Sequence, residues 1–129
     1  MEDKIEVGEY VRVNNDNRNC IGIGKVTRLV NESVYVNMNN KYNLSVCFQI
    51  NNIVKHSKQI IDLIEVGDIV KDKYNKYEVA FVKDDKIYCN DYNLDDSLIT
   101  LREQDIKAIL TKEQMEANQY VIKWDMETN

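Results

Sequence analysis

The sequence contains no proline, one histidine and three cysteines in 129 residues. Cys20, Cys47 and Cys89 show no CxxC spacing, and with His56 as the only histidine the chain lacks the Cys/His clusters of a zinc site. An odd number of cysteines without an export signal favours reduced thiols. We therefore expect neither a metal nor a cofactor.

Long apolar runs are also missing, since none approaches the roughly 18 residues that a membrane-spanning helix needs. The first residues, MEDKIEVGEY, lack the apolar region of a secretion signal. Hydrophobic residues make up 43% of the chain, which is enough for a core. These features predict a cytoplasmic protein without a membrane partner.

Positive charge is scarce in the second half of the chain. Residues 1–64 contain 8 basic and 7 acidic residues, a net charge of +1, whereas residues 65–129 contain 9 and 15, a net charge of −6. The acidic half argues against a general nucleic-acid binder, which needs a basic face against phosphate. It permits an acidic surface that meets a basic partner.

The chain contains an internal repeat. The run IEVGEYVR at residues 5–12 returns as IEVGDIVK at residues 64–71, and GKVTRLVNESVYVN at 24–37 runs parallel to YEVAFVKDDKIYCN at 77–90. A third pair follows in the same order, NNIVKHSKQ at 51–59 and EQDIKAILTKEQ at 103–114. Matching blocks in one order predict a tandem duplication with units 1–64 and 65–129.

The pattern of each unit predicts short strands, because runs of Val, Ile, Tyr and Thr alternate with turns of Asn, Asp and Lys. The predicted strands are Tyr10–Val13, Ile21–Val30, Ser33–Asn37, Leu44–Phe48, Ile53–His56, Asp68–Lys71, Tyr77–Val82, Lys86–Cys89, Leu98–Leu101 and Ile106–Leu110. VNES and KDDK are typical of tight hairpin turns. Gly22 and Gly24 predict a bulge or a sharp bend. The fold class is mainly β, with two rigidly packed tandem SH3-like small barrels.

Each unit has one candidate short helix after its last strand. Residues 57–64 form either a helical turn that Ser57 caps or an extended strand. Thr111-x-x-Gln114 is a capping box, which predicts a helix at Lys112–Asn118 and then a last strand at Tyr120–Trp124.

The runs IVKHSKQIIDLIEVGDIV (53–70) and IKAILTKEQMEANQY (106–120) resemble small uncharacterised proteins of phages and prophages of low-GC Gram-positive bacteria. That group carries a KHSxxIIDLIEVGDxV run followed by TKEQ[FM]. The resemblance implies a phage origin and a place in the host bacterial cytoplasm, and it implies no assigned chemistry. Small phage proteins without catalytic motifs are often anti-defence factors, anti-CRISPR proteins among them, so a host protein is the expected partner.

No catalytic constellation stands out. His56 would need Cys47 or Ser57 as a nucleophile and an orienting carboxylate, so packing at the junction or a backbone hydrogen bond is the better interpretation. The pairs Asp84–Asp85 and Asp95–Asp96 lie in polar turns, where Asp is favoured for local hydrogen bonds rather than for metal binding. We therefore predict that the chain is not an enzyme.

Three loops mix Tyr with Asn and charge, at residues 39–43, 72–77 and 90–96. Binding loops favour this mixture, although the codon bias of a low-GC genome explains it equally well. The predicted protein-binding residues are Tyr42, Tyr74, Tyr77, Asp91, Tyr92, Asp95 and Asp96.

The leading hypothesis is a non-enzymatic inhibitor of a host defence or nucleic-acid-processing protein, for which a basic nucleic-acid enzyme is the expected target. The second is a sponge for a nucleotide signal, which needs a homo-oligomer or a pocket between the barrels. Its anion-binding residues would be Arg12, Arg18, Lys25 and Arg28. The third is an SH3-like nucleic-acid-binding module that uses the first unit, although direct nucleic-acid binding fits the overall charge poorly.

Overall fold

The computed structural model describes residues 4–15, 21–38, 45–91 and 97–118. The chain is mainly β, with two five-stranded antiparallel sheets and one short α-helix. The first sheet contains β1 (Tyr10–Asn14), β2 (Ile21–Val30), β3 (Ser33–Asn37), β4 (Ser45–Gln49) and β5 (Ile53–Ser57). The second contains β6 (Ile69–Lys71), β7 (Lys76–Lys83), β8 (Lys86–Asp91), β9 (Ser97–Arg102) and β10 (Ala108–Leu110), before α1 (Lys112–Asn118).

The predicted strands are confirmed, with ends that differ by at most two residues. The predicted last strand, Tyr120–Trp124, lies outside the described residues. The two units also share one topology. The strand order is β4-β3-β2-β1-β5 in the first sheet and β9-β8-β7-β6-β10 in the second, and a 3₁₀ turn (Ile50–Asn52 and Glu103–Asp105) precedes the last strand of each.

One irregularity occurs in both sheets, whereas a further register shift, between Arg12 and Val13 in the β1–β5 pair, has no counterpart in the β6–β10 pair. The β2–β3 register shifts between Val26 and Arg28, and the β7–β8 register shifts between Val79 and Phe81, at matching positions of the repeat. The bulge therefore lies beyond the predicted glycines. Gly24 serves another purpose, because a Cβ there would lie 2.5 Å from Val36 Cγ1 on the neighbouring strand.

The barrel part of the prediction is not confirmed. In the described parts of the chain, β4 and β5 are the two edges of one sheet and β9 and β10 those of the other, so neither sheet closes by hydrogen bonding. Each sheet has its own core, because the buried residues that alternate along its strands form a separate cluster, which Ile61 and Ile64 of the connection complete in the second unit. These clusters are Val11, Val13, Val26, Val34, Val36 and Phe48 in the first, and Ile61, Ile64, Val70, Tyr77, Val79, Ile87, Cys89 and Leu101 in the second.

The connection between the sheets is helical rather than extended. It contains a 3₁₀ turn at Ile60–Leu63, whose Ile61 packs in the second core. Ser57 does not cap this turn. Its hydroxyl accepts a hydrogen bond from Gln59 N at 3.1 Å and donates one to Asp62 Oδ2 at 2.5 Å.

The capping box of α1 is confirmed. Thr111 N donates to Gln114 Oε1 at 2.8 Å, and Gln114 N donates to Thr111 Oγ1 at 3.2 Å, so the two residues satisfy each other at the helix start. The helix has the predicted bounds, Lys112–Asn118. Within the described ranges, the protein has no helix of the length and apolarity that a membrane span requires.

Candidate functional site

A buried arginine joins the two units. The Arg12 side chain, 3% exposed on β1, crosses to the second unit and donates to both carboxylate oxygens of Asp68, at 2.7 and 2.9 Å. It also donates to the Leu63 carbonyl at 2.9 Å. The Asp68 side chain is fully buried. This forked geometry matches the planar guanidinium to the carboxylate and joins the two units through two hydrogen bonds.

Further charges extend this pair into a network. Arg12 donates to Glu113 of α1 at 2.7 Å, and its Nε lies 3.7 Å from Glu65. Glu65 in turn contacts the ammonium groups of Lys55 at 3.0 Å and Lys112 at 3.1 Å. The network therefore ties β1, β5, α1 and the start of the second unit together, with equal numbers of positive and negative groups.

The carboxylates of this network occupy Arg12, which the sequence analysis offered as an anion-binding residue. Burial opposes the charge of Arg12, but its hydrogen bonds to Asp68 and Glu113 outweigh burial and raise its pKa above the ordinary value. The guanidinium is thus neutralised by protein carboxylates. Arg12 is a structural residue in the junction and not a ligand for phosphate, contrary to the sequence prediction.

The equivalent carboxylates of the two units have diverged. Glu9 and Asp68 each accept a hydrogen bond from the amide three residues earlier, at 3.1 and 2.8 Å. However, Glu9 pairs with His56 of β5, with 2.6 Å between Oε1 and Nδ1. The expected packing or backbone bond of His56 is therefore replaced by a carboxylate contact. The candidate nucleophile Ser57 bonds to Asp62 instead.

A cleft of about 630 Å³ lies between the units. Its lining residues come from both, namely Tyr10, Ile21, Ile23, Gly24, Lys25, Asn37, Met38, Ile60, Ile106, Lys107, Ala108, Ile109 and Gln114. The predicted residue Lys25 lies here, with its Nζ 5.6 Å from the centre of the Tyr10 ring. Lys107, which the sequence analysis did not single out, is exposed and lines the cleft from the other unit. The lining combines isoleucine side chains with positive charge.

The outer faces of the matching hairpins differ. On β7–β8, Phe81 stacks on Tyr88 with ring centres 4.5 Å apart and an angle of 16°, and Phe81 is 41% exposed. At the same positions of β2–β3, the Arg28 guanidinium lies 5.0 Å from the centre of the Tyr35 ring. The predicted anion-binding residue Arg28 is not among the residues that line the cleft, although its pairing with Tyr35 places it on the same face of the first sheet as Lys25, which pairs with Asn37.

The predicted protein-binding residues are scattered. Tyr74 is 76% exposed, whereas Tyr77 and Asp91 are each 7% exposed, so the structure corrects the prediction that these two lie on a binding surface. Tyr77 points inward with Val79 on β7, and it belongs to the core. Tyr42, Tyr92, Asp95, Asp96 and the anion-binding candidate Arg18 lie outside the described residues.

Some of what the sequence analysis missed was visible in the strand pattern. In VAFVKDDKIYC, a two-residue turn places Phe81 opposite Tyr88 on the face away from the core. No local signal identifies the partner of Arg12, because Asp68 is distant in sequence. The Arg12 position matches Lys71 of the second unit. Because Lys71 is exposed, comparison of the two repeats predicts an exposed Arg12 rather than a buried one.

The described cysteines are free. Cys47 is exposed, and burial, together with the charge of Asp72, raises the pKa of the Cys89 thiol to about 11. Asp84 and Asp85 form the predicted turn, with φ angles of 54° and 61°. Among the described side chains, no group of three or more His, Cys, Asp or Glu residues is arranged to hold a metal ion.

No protein-family model matches this sequence, and no curated protein matches it either.

Proposed function

We propose that this chain is a non-enzymatic binding protein of phage origin. It acts in the cytoplasm of the host bacterium and inhibits a defence or nucleic-acid-processing protein, as anti-CRISPR proteins do. The phage-like runs at residues 53–70 and 106–120 support the origin. The net charge of −6 in residues 65–129 supports a basic protein as the target.

We also propose that the two sheets are open forms of SH3-like small barrels, one in each unit. In both units a four-strand meander and a 3₁₀ turn lead to a fifth strand that pairs back on the first. The Arg12–Asp68 pair supports rigid packing of units 1–64 and 65–129, since two hydrogen bonds between buried side chains join them.

The exposed Phe81–Tyr88 stack is the observation that carries the inhibitor proposal. The two rings are held on neighbouring strands of a hairpin, so little conformational entropy is lost when a partner covers them. Leu98, opposite Asn90 on the next strand, is also exposed. Aromatic residues are enriched at the energetic centres of protein interfaces. Phe81, Tyr88 and Leu98 therefore form an apolar surface on a unit whose net charge is −6.

The test is a pull-down from host lysate with the tagged chain and two variants. Phe81→Ser removes the aromatic contact, and Val54→Ser is the matched control, because Val54 is an exposed hydrophobic residue on β5 of the other sheet. We expect the wild type and Val54→Ser to retain one host protein in stoichiometric amount, and Phe81→Ser to lose it. Equal retention by all three would show that this face is not the binding surface.

A sponge for a nucleotide signal is the second candidate, and the cleft between the units favours it. Such a protein needs an enclosed site with positive charge, and Lys25 and Lys107 supply that charge from the two units. The third candidate, an SH3-like nucleic-acid-binding module, has less support. Its first unit has a net charge of only +1, and Arg12 is already neutralised by Asp68 and Glu113.

A further inference from the structure

The cleft has the size and composition of a small-molecule site. Its volume of about 630 Å³ lies within the range of roughly 300–1,000 Å³ that is usual for ligand pockets. The first unit contributes Ile23 and Lys25, and the second contributes Ile106 and Lys107. A ligand in the cleft would therefore contact both units at once.

The charge of the cleft is positive in an acidic protein. Lys25 and Lys107 are both exposed, and neither forms an ion pair with a carboxylate of the described residues. Lys55 and Lys112, by contrast, are held by Glu65. None of the lining residues is acidic. Because no lining residue is negatively charged, an anionic group that enters the cleft gains attraction without competing with a carboxylate of the cleft walls.

The remaining lining suits a flat and largely apolar body. The Tyr10 ring is half-buried beside Lys25, and five isoleucines contribute to the walls, Ile21, Ile23, Ile60, Ile106 and Ile109. A planar heterocycle can pack between aliphatic side chains and stack on tyrosine, as nucleobases do on aromatic residues of nucleic-acid-binding proteins. Anionic groups and a planar ring occur together in nucleotides.

We propose that the cleft binds a free nucleotide, with Lys25 and Lys107 at its phosphates and its base against Tyr10 and the isoleucines. This inference rests on the sponge function and specifies the residues and the ligand class for it. Because the two lysines come from different units, recognition depends on the fixed arrangement that the Arg12 network provides.

The experiment is isothermal titration of the full chain with ATP, cyclic AMP and cyclic di-AMP, and with a single-stranded oligonucleotide. Lys25→Gln and Lys107→Gln remove one cleft charge each. Lys76→Gln, an exposed lysine on β7 that does not line the cleft, is the control with the same change in net charge. We expect at least one nucleotide to bind, a Kd raised about tenfold by either cleft variant, and no change with Lys76→Gln.

Three results would overturn the inference: no heat with any nucleotide, the same Kd in all variants, or binding of the oligonucleotide alone. Lys25→Gln and Lys107→Gln should leave the fold intact because both lysines are exposed. Melting temperatures near that of the wild type will confirm that the two variants fold. The pull-down separates this inference from the inhibitor proposal. A host protein retained by Lys25→Gln and Lys107→Gln, with no nucleotide binding, would overturn the cleft site and leave the inhibitor standing.

Discussion

Arg12 and Asp68 lie 56 positions apart in the sequence and form a doubly hydrogen-bonded ion pair between the two repeated units. Both side chains are buried, and Asp68 also accepts hydrogen bonds from the backbone N–H groups of Glu65 and Lys112. The two carboxylate oxygens are therefore shared between the guanidinium and two amides. The pair therefore needs residues of both units, since Arg12 belongs to the first and Asp68 to the second.

Loss of Arg12 should destabilise the protein severely. Arg12→Ala leaves Asp68 buried with its charge uncompensated, which typically costs about 3–5 kcal/mol of unfolding free energy. Arg102→Ala is the control, because Arg102 pairs with Asp105 at 3.7 Å on the exposed surface and should cost less than about 1 kcal/mol. Urea denaturation measures both values. Similar losses for the two variants would contradict a structural role for the buried pair.

Stability should also fall at acidic pH because of Glu65. Burial acts to raise the pKa of Glu65, but its hydrogen bonds with Lys55 and Lys112 and the charge of Arg12 outweigh burial and hold it below the ordinary value of 4.5. A carboxylate with a lowered folded-state pKa stabilises the protein above its unfolded pKa, and this contribution is lost as the pH falls below about 4.5.

Glu65→Gln should therefore flatten the decline of unfolding free energy between neutral pH and pH 3. Glu116→Gln is the comparison, because the Glu116 side chain is exposed and forms no ion pair with the described residues. Urea denaturation at a series of pH values gives the slopes. If Glu65→Gln and the wild type decline in parallel, the lysine contacts of Glu65 do not contribute to stability.

Much of the fold could be predicted because the repeat, the β-branched runs and the capping box are local patterns. The Thr111–Gln114 box fixed the helix start, and the alternation in each unit fixed the strands. The site could not be predicted in the same way, because it depends on how the units meet. The sequence predicts anion binding for Arg12 because no local feature shows Asp68 beside it, and Lys107 becomes a candidate only because it lines the same cleft as Lys25.

Gly24→Ala should cost roughly 1–3 kcal/mol through overpacking. The new Cβ would lie 2.5 Å from Val36 Cγ1 and 2.7 Å from the Asn37 carbonyl oxygen, so β3 would have to move away from β2. Gly8→Ala is a useful comparison, because nothing lies within 4 Å of a Cβ there and its cost, about 1 kcal/mol, comes from the φ of 96°. Thermal and urea unfolding measure both, and a cost-free Gly24→Ala would show that β2 and β3 are not so close.

The hairpin turn of the second unit can be improved. Asp84 and Asp85 both have positive φ, which is typical of a type I′ turn and favours glycine at its second position. We expect Asp85→Gly to raise the unfolding free energy by about 0.5–1 kcal/mol, since Gly reaches this conformation without a Cβ penalty. In the first unit Glu32 lies outside the positive-φ region, although Asn31 is within it. Glu32→Gly should therefore give no gain, and an equal gain in both turns would contradict the assigned geometry.

The thiol of Cys89 should be unreactive in the folded protein. It is buried in the second core, and burial together with the charge of Asp72 raises its pKa to about 11, so the nucleophilic thiolate is scarce at neutral pH. A thiol reagent at pH 7.5 should label the same number of cysteines in the wild type and in Cys89→Ala. In urea the wild type should gain one further labelled thiol over Cys89→Ala. Cys47 is exposed and should react in the native state, so Cys47→Ala should lower the number of thiols labelled without urea by one. Rapid native labelling that disappears in Cys89→Ala would show that the second sheet opens around its core on the timescale of the reaction.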